Sequence, residues 1–267
     1  MTGSPGVSHE HGTDLASNSS LLAKPAGLTL SSWERLAHAF EGEVCDIVAA
    51  DCRQVIGRAV DGLRRDFSQA TLLDLGCGIG TFIQTHGRRF RSVCGADFSS
   101  NMLRYAKRRC QGVPKVRWMQ ADLSQIDHAA MPTGDVTVCL NVVTSPSKRI
   151  RNKMLRSLWK LTNAGGTTLL VVPSLESTLF VHRTIKRDQL TGASKRKLLS
   201  QGILMCDGVA QKYFSKREVL DSMQKAGFRK CTARRVWIPW SEEGLEDGHP
   251  RLNGKALPWD WLVLGHK

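Results

Sequence analysis

Residues 72 to 82 read LLDLGCGIGTF: a short apolar run carrying one acid, Asp74, followed by glycines at alternate positions, Gly76, Gly78 and Gly80. Glycine at that spacing lets bare backbone press against a ligand where a Cβ would clash. Asp97 closes the next strand-like run, RSVCGAD, and Asp122 the one after it, KVRWMQAD. The glycines alone could serve a nicotinamide dinucleotide, a nucleoside triphosphate or S-adenosylmethionine. A Walker loop needs GxxxxGK[ST], which is absent. The dinucleotide fingerprint is GxGxxG with no acid required before it, whereas here the spacing is GxGxG and an acid stands two residues ahead of the first glycine.

The elements that must position these residues alternate from residue 71 onward. TLLDL, RSVCGAD, KVRWMQAD, DVTVCLNVV and GGTTLLVVPS read as strands, the last preceded by an AGG turn. Between them TFIQTHGRRF, FSSNMLRYAKRRC (capped by Ser99 or Ser100) and KRIRNKMLRSLWKLT read as helices. That rhythm predicts an α/β fold, a parallel sheet with helices on both faces and right-handed crossovers. After the fifth strand, residues 174–212 form a polar, basic segment too long for a plain connection, so it is either functional or mobile. Ser215 and Glu218 then form a capping-box pattern before the helix REVLDSMQKAGF, with Gly227 placed to end it. RKCTARRVWIP and PWDWLVLGH are read as two closing strands. Upstream, residues 31–65 read as helix, capped by Ser31 or Ser32, with Trp33, Leu36, Phe40, Val44 and Ile47 at helical spacing and CRQVIGRAVDGLRR as a further run. Residues 1–27 are polar and rich in Gly, Ser and Asn, which predicts a flexible tail. The organisation expected is therefore tail 1–27 and one domain 28–267, with a helical cap 28–66 and a substrate-side insertion 174–212.

Composition narrows the class. Of 267 residues, 41% are apolar, as in soluble globular proteins. No apolar run reaches membrane-spanning length and the N-terminal stretch lacks a secretory pattern, so a cytoplasmic location is expected. The eight cysteines show no CxxC and no zinc-ligand spacing. Free buried thiols are predicted, with Cys94 and Cys139 inside apolar runs, and no metal. The net charge of +14 is concentrated: residues 148–235 hold 20 Lys/Arg against 5 Asp/Glu. A basic half fits an anionic substrate, a nucleic acid, a membrane surface or a solvated face.

The linked motifs resemble the class I S-adenosylmethionine-dependent methyltransferases over roughly residues 70–175, with a weaker echo at 213–228 and the last strand. GADFSSNML is similar to the family's segment after strand 2, MQADL to its acid after strand 3, and YFSKREVLDSMQKAGF to its later helix. The resemblance implies a seven-stranded, mostly parallel sheet with the last strand antiparallel, and S-adenosyl-L-methionine as cofactor with S-adenosyl-L-homocysteine as product. It implies cofactor contacts from Asp74, Gly76, Cys77, Gly78, Asp97, Phe98, Met102, Asp122, Leu123 and Asn141. In that reading the glycines admit the methionine part and amides at Gly80-Thr81 receive its carboxylate. Asp74 orders the turn or meets the ammonium through water. Asp97 takes the ribose hydroxyls, Phe98 packs on the adenine and Asp122 accepts from its amino group. A helix cap is the competing role for Asp122, core packing for Met102, and a strand-end turn for Asn141.

Methyl transfer by direct displacement needs alignment more than a base, so no catalytic residue has to be legible; His182 and Tyr213 are the candidates. Trp33, Phe40, His182, Arg183 and Tyr213 are the candidate substrate contacts, with Lys186 and Arg187 beside them. NPPY-type and Pro-Cys motifs are absent after strand 4. The reading is methyl transfer to an O, N or S atom of a small molecule, with an anionic one able to pair with the arginines. The alternatives are an RNA- or protein-modifying methyltransferase using residues 148–235, and a non-catalytic cofactor-binding regulator.

Overall fold

The computed structural model describes residues 46–63, 66–185, 190, 192–206, 209–246 and 248–267. The predicted tail 1–27, the cap up to residue 45 (with Trp33 and Phe40), and Lys186 and Arg187 lie outside the described residues.

A seven-stranded sheet forms from β1 (Thr71–Leu75), β2 (Ser92–Asp97), β3 (Val116–Gln120), β4 (Gly134–Leu140), β5 (Thr162–Pro173), β8 (Arg229–Trp237) and β9 (Trp259–His266), in the order β3-β2-β1-β4-β5-β9-β8. β1 to β5 pair in parallel, and β9 runs antiparallel to both β5 and β8. This is the sheet expected from the sequence. Side chains alternate across it. Leu72, Val136, Val138, Leu169 and Val171 face one core with Ile56, Phe82 and Ile83. Leu73, Cys139, Leu170 and Val263 face the other with Leu155, Leu158 and Met223. Both faces are covered, so the central strands are apolar throughout, and each fully buried leucine contributes about 1.5–3 kcal/mol.

The helices follow local rules. α1 (Ile47–Ala50), α2 (Val55–Asp61), α3 (Thr81–His86) and α4 (Ser100–Arg109) supply the first core. α5 (Lys148–Leu161) and α8 (Lys216–Ala226) supply the second. Ser99 Oγ accepts from Met102 N at 3.2 Å, and Ser147 Oγ from Ile150 N at 3.5 Å, capping α4 and α5. Gly227, at φ +116, ends α8.

Three local expectations are corrected. The helical run before residue 65 breaks at Asp51–Gln54, where Gln54 takes φ 50 and Asp51 Oδ2 accepts from Ile56 N at 2.7 Å. The Ala164-Gly165-Gly166 turn lies inside β5 as an irregularity, with Gly165 at φ 73, rather than before the strand. The capping box at Ser215 is only half formed. Ser215 Oγ accepts from Glu218 N at 3.1 Å, but the Glu218 carboxylate turns to Lys212 Nζ at 2.6 Å.

The insertion carries its own elements: α6 (Leu175–Thr184), α7 (Gly192–Gln201) and the hairpin β6 (Ile203–Cys206) to β7 (Val209–Lys212). Its ends are pinned together, since Phe214 N donates to Pro173 O at 2.8 Å and Leu175 N to Phe214 O at 2.9 Å. Among the described residues no helix is long and apolar enough to cross a membrane. Cys94 and Cys139 are buried free thiols.

Candidate cofactor and acceptor site

Strand order reverses between β1 and β4, because the chain leaves β1 toward β2 on one side and later returns to β4 on the other. The crevice at the carboxyl ends of those strands is where such sheets bind ligands. A cavity of about 450 Å³ occupies it. All ten predicted cofactor residues line it: Asp74, Gly76, Cys77, Gly78, Asp97, Phe98, Met102, Asp122, Leu123 and Asn141.

The glycine turn is built as its composition requires. Gly76, Gly78 and Gly80 have φ of 77, 52 and 83, the left-handed region open to glycine. A Cβ on Gly76 would also stand 2.2 Å from Val142 Cγ2. Gly76 N and Cys77 N both donate to Ala96 O, at 2.7 and 3.0 Å, tying the turn to the end of β2. Gly78 N donates to Asp97 Oδ2 at 2.9 Å, and Ser99 N to Asp97 Oδ1 at 3.0 Å. Asp97 therefore fixes the turn and caps its own loop. α3 begins at Thr81 as expected but has only 6 residues, so the dipole it offers an anion is small.

The cavity is acidic in a basic chain. Asp46, Asp74, Asp97 and Asp122 line it, and its described lining contains no Lys, Arg or His. Asp74 is 2% exposed. Burial first, then the fields of Asp97 and Asp46, raise its pKa to about 8. Its Oδ2 has no hydrogen-bond partner. A buried carboxyl in that state keeps its proton at neutral pH until a cation makes the ionised form worth its desolvation. Cys77 is not a nucleophile here, because burial and then the neighbouring carboxylates push its thiol well above its usual range.

Asp122 does what a turn acid does: its Oδ1 accepts from Ser124 N at 2.8 Å and its Oδ2 from Gln125 Nε2 at 3.2 Å, while it also faces the cavity. Met102 combines both of its candidate roles, 1% exposed in a cluster with Ile79 yet lining the cavity. Asn141 stands just past β4 at φ 55, a conformation asparagine tolerates. Asn141 Nδ2 donates to Asp260 Oδ2 at 3.0 Å, and Ser174 N donates to Asp260 Oδ1 at 3.3 Å. Asp260 thereby turns the amide so that Asn141 Oδ1, buried and without a partner, is the free acceptor. Burial raises the Asp260 pKa to about 7, against the hydrogen bonds from Asn141 and Ser174.

Past Asn141 the lining continues through Val142, Thr144, Ser145, Pro146, Ile150 and Met154. The predicted substrate residues that the structure describes are elsewhere. His182 and Arg183 lie on α6 and Tyr213 follows β7, and none of the three lines this cavity. Phe214, 2% exposed, is core. Sequence reasoning missed Asp46, whose Oδ2 accepts from Thr81 Oγ1 and which also caps α1, and it missed Asp260. The signal for Asp260 was a lone acid between two tryptophans in an apolar strand.

Comparison with known proteins agrees with this arrangement. Residues 72–166 match a family model described as a methyltransferase domain. A carboxy-S-adenosyl-L-methionine synthase from Trichodesmium erythraeum (strain IMS101) is 28% identical over 131 residues, 48% of this chain and 51% of that protein. The chain thus spans about half the length of the curated relative it matches. Among solved structures, a putative S-adenosylmethionine-dependent methyltransferase from Listeria monocytogenes aligns at TM-score 0.56 and 19% identity, over 79% of this chain and 96% of that one. Magnesium protoporphyrin IX methyltransferase from Synechocystis PCC 6803, with bound SAH, aligns at 0.57 and 15%, over 89% and 94%. Over residues 72–166 the chain is thus similar to a methyltransferase domain, and its fold is that of solved S-adenosylmethionine-dependent methyltransferases.

Proposed function

We propose that this chain transfers a methyl group from S-adenosylmethionine to an O, N or S atom of a small molecule. The observation that carries the reading is the cavity's charge: four aspartates, no cation among its described lining, and two buried oxygens, Asp74 Oδ2 and Asn141 Oδ1, without partners. When bound, S-adenosylmethionine supplies an electrophilic methyl group on a sulfonium cation. Asp74 gives the donor's ammonium a counter-charge in a dry site, where such a pairing is strongest. Asp97, at the end of β2 in the same lining, takes the ribose hydroxyls. Phe98 offers its ring to the adenine, and Asp122 sits within the lining for its amino group. Asn141 presents a fixed carbonyl oxygen to a donor group on the acceptor.

Beyond Asn141, Val142, Pro146, Ile150 and Met154 exclude water, and Thr144 and Ser145 add hydroxyls. That surface suits a neutral acceptor better than the anionic one considered from sequence. Alignment and desolvation then carry the rate, and no side chain has to act as base when the acceptor is already nucleophilic. The same charge argument bears on the relative that makes carboxy-S-adenosyl-L-methionine. Among the described lining an added carboxylate on the donor would meet four aspartates and no cation, so S-adenosylmethionine should bind at least about tenfold tighter than its carboxylated form, or about 1.4 kcal/mol. Comparable affinities would move this chain toward carboxylated-donor chemistry.

Incubation with methyl-labelled donor and fractionated cell extract tests the acceptor. Label in the small-molecule fraction is the expected result. Label in RNA or protein would move the acceptor to a macromolecule, and donor binding with no S-adenosylhomocysteine formed from any fraction would make the chain a regulator.

A further inference from the structure

A second concavity, of about 510 Å³, lies between α5 and α8. It shares no lining residue with the cofactor cavity, yet α5 stands between the two. Ile150 and Met154, one turn apart, line the cofactor cavity, whereas Arg151 and Leu155, also one turn apart, line this groove. Lys148, Arg151, Arg156, Arg217 and Lys225 line it, against the carboxylates Glu218 and Asp221.

Charge is unbalanced at Arg151 in its lining and at Lys212, which meets the lining through Glu218 and Phe214. Lys212 is 2% exposed and Arg151 7%. Both approach the Phe214 ring, at 5.2 and 5.6 Å from its centroid. Among the described residues one carboxylate serves them: Glu218 Oε2 stands 2.6 Å from Lys212 Nζ, which also donates to Gln201 O at 2.7 Å, and the field of Glu218 also favours the Arg151 cation. Burial lowers the pKa of both groups, and Arg151 adds repulsion at Lys212. Two buried cations sharing one carboxylate leave positive charge in a medium that stabilises it poorly. On the rim, Arg217 reaches Asp221 at 3.8 Å, with its side chain 92% exposed.

We propose that the α5–α8 groove binds a phosphate group, carried by a nucleic-acid strand or by a phosphorylated small molecule. A phosphate oxyanion supplies the missing negative charge. Its several oxygens match the forked donors of three arginines in a way a single carboxylate does not. The bound group would also lie one helix-width from the acceptor end of the cofactor cavity. Arg151 Nη1 already donates to the carbonyls of Ser145 and Pro146 at 2.7 and 2.8 Å, and Lys212 N to Thr144 O at 2.9 Å. The three residues so held, Thr144, Ser145 and Pro146, line that end. The inference stands apart from the methyl-transfer reading, because binding here needs no donor.

The test is equilibrium binding of inorganic phosphate, pyrophosphate and a twelve-nucleotide oligouridylate to the full chain at low salt. Three proteins are compared. These are the wild type, the groove variant Arg156→Gln/Arg217→Gln/Lys225→Gln, and a charge-matched control on exposed positions of α4, Arg104→Gln/Lys107→Gln/Arg108→Gln. The groove variant should lose at least about tenfold in affinity for a phosphate probe, the control less than about threefold, and S-adenosylmethionine binding should not change in either. Tight oligouridylate binding with steep salt dependence identifies a nucleic-acid strand. Retention of phosphate or pyrophosphate alone identifies a small phosphorylated ligand. No probe binding to the wild type, or equal losses in the two variants, overturns the proposal, and thermal unfolding of each variant separates lost binding from lost fold.

Discussion

Two concavities on either side of one helix carry opposite charge. On one side of α5 the cofactor cavity gathers four aspartates from α1's cap and from the ends of β1, β2 and β3, with no described cation. On the other the α5–α8 groove gathers five cations and leaves two of its neighbourhood's positive groups buried around one carboxylate. A chain of net charge +14 thus keeps one cavity acidic, its described charges separated across a single helix. Global charge therefore says little about a site. What matters is which side chains the sheet and helices bring to one place, and how far from water.

The contrast can be broken most severely at the turn that shapes the acidic side. Gly76→Ala places a Cβ 2.2 Å from Val142 Cγ2 at φ +77. Donor binding should fall at least about a hundredfold, with about 2–4 kcal/mol lost in stability, measured by calorimetry and urea unfolding. The groove, which contains none of these residues, should bind its phosphate probe as before wherever the variant is folded.

Asp97→Ala comes next. It removes the acceptor that fixes Gly78 N and the carboxylate proposed for the ribose hydroxyls, so donor affinity should fall about tenfold to a hundredfold. Unchanged affinity would remove Asp97 from the site.

The pH dependence of stability sharpens the acidic side without mutation. A carboxyl at 3.8 in the unfolded chain and about 8 when folded holds its proton more tightly in the native state. Asp74 thus contributes stability that is fully present below about pH 4 and is lost as pH rises to about 8. Asp260, raised to about 7, contributes in the same sense. Donor-free protein should lose stability between pH 5 and 8, and Asp74→Asn should flatten part of that slope. A slope of opposite sign would contradict the burial argument.

Smaller effects follow. Asp260→Asn keeps shape but lets the neighbouring amide pair either way, so Asn141 Oδ1 loses its fixed orientation. An approximately tenfold fall in kcat with donor affinity retained is expected. Arg217→Gln on the groove rim removes only an exposed pair, and should change stability by less than about 0.5 kcal/mol and donor binding not at all.

Much of the acidic site was legible because its determinants are local. Glycines at positive φ, an acid at each strand end and period-two apolar runs are written within a few residues of one another. The contacts that complete it are long-range: Asp46 meets Thr81 across 35 positions, and Asp260 meets Asn141 across 119. The capping box at Ser215 failed for a similar reason, since a buried lysine outcompeted the backbone amide for Glu218. The insertion read as one polar stretch because α7 buries only Leu198 among ten residues, too weak a stripe to declare a helix. His182, Arg183 and Tyr213 were chosen for chemistry. Where they stand depends on how the insertion folds back onto Phe214, which periodicity does not encode.

The most direct measurement is proton release on donor binding, by titration calorimetry at pH 7 in buffers of different ionisation enthalpy. If the neutral Asp74 carboxyl must ionise to meet a cation, S-adenosylmethionine should expel close to one proton from the wild type, and close to none from Asp74→Asn, with weaker binding. Tight binding with no proton exchanged in the wild type, or identical release in both proteins, would contradict the account of the cavity as a neutral acid awaiting a cationic donor.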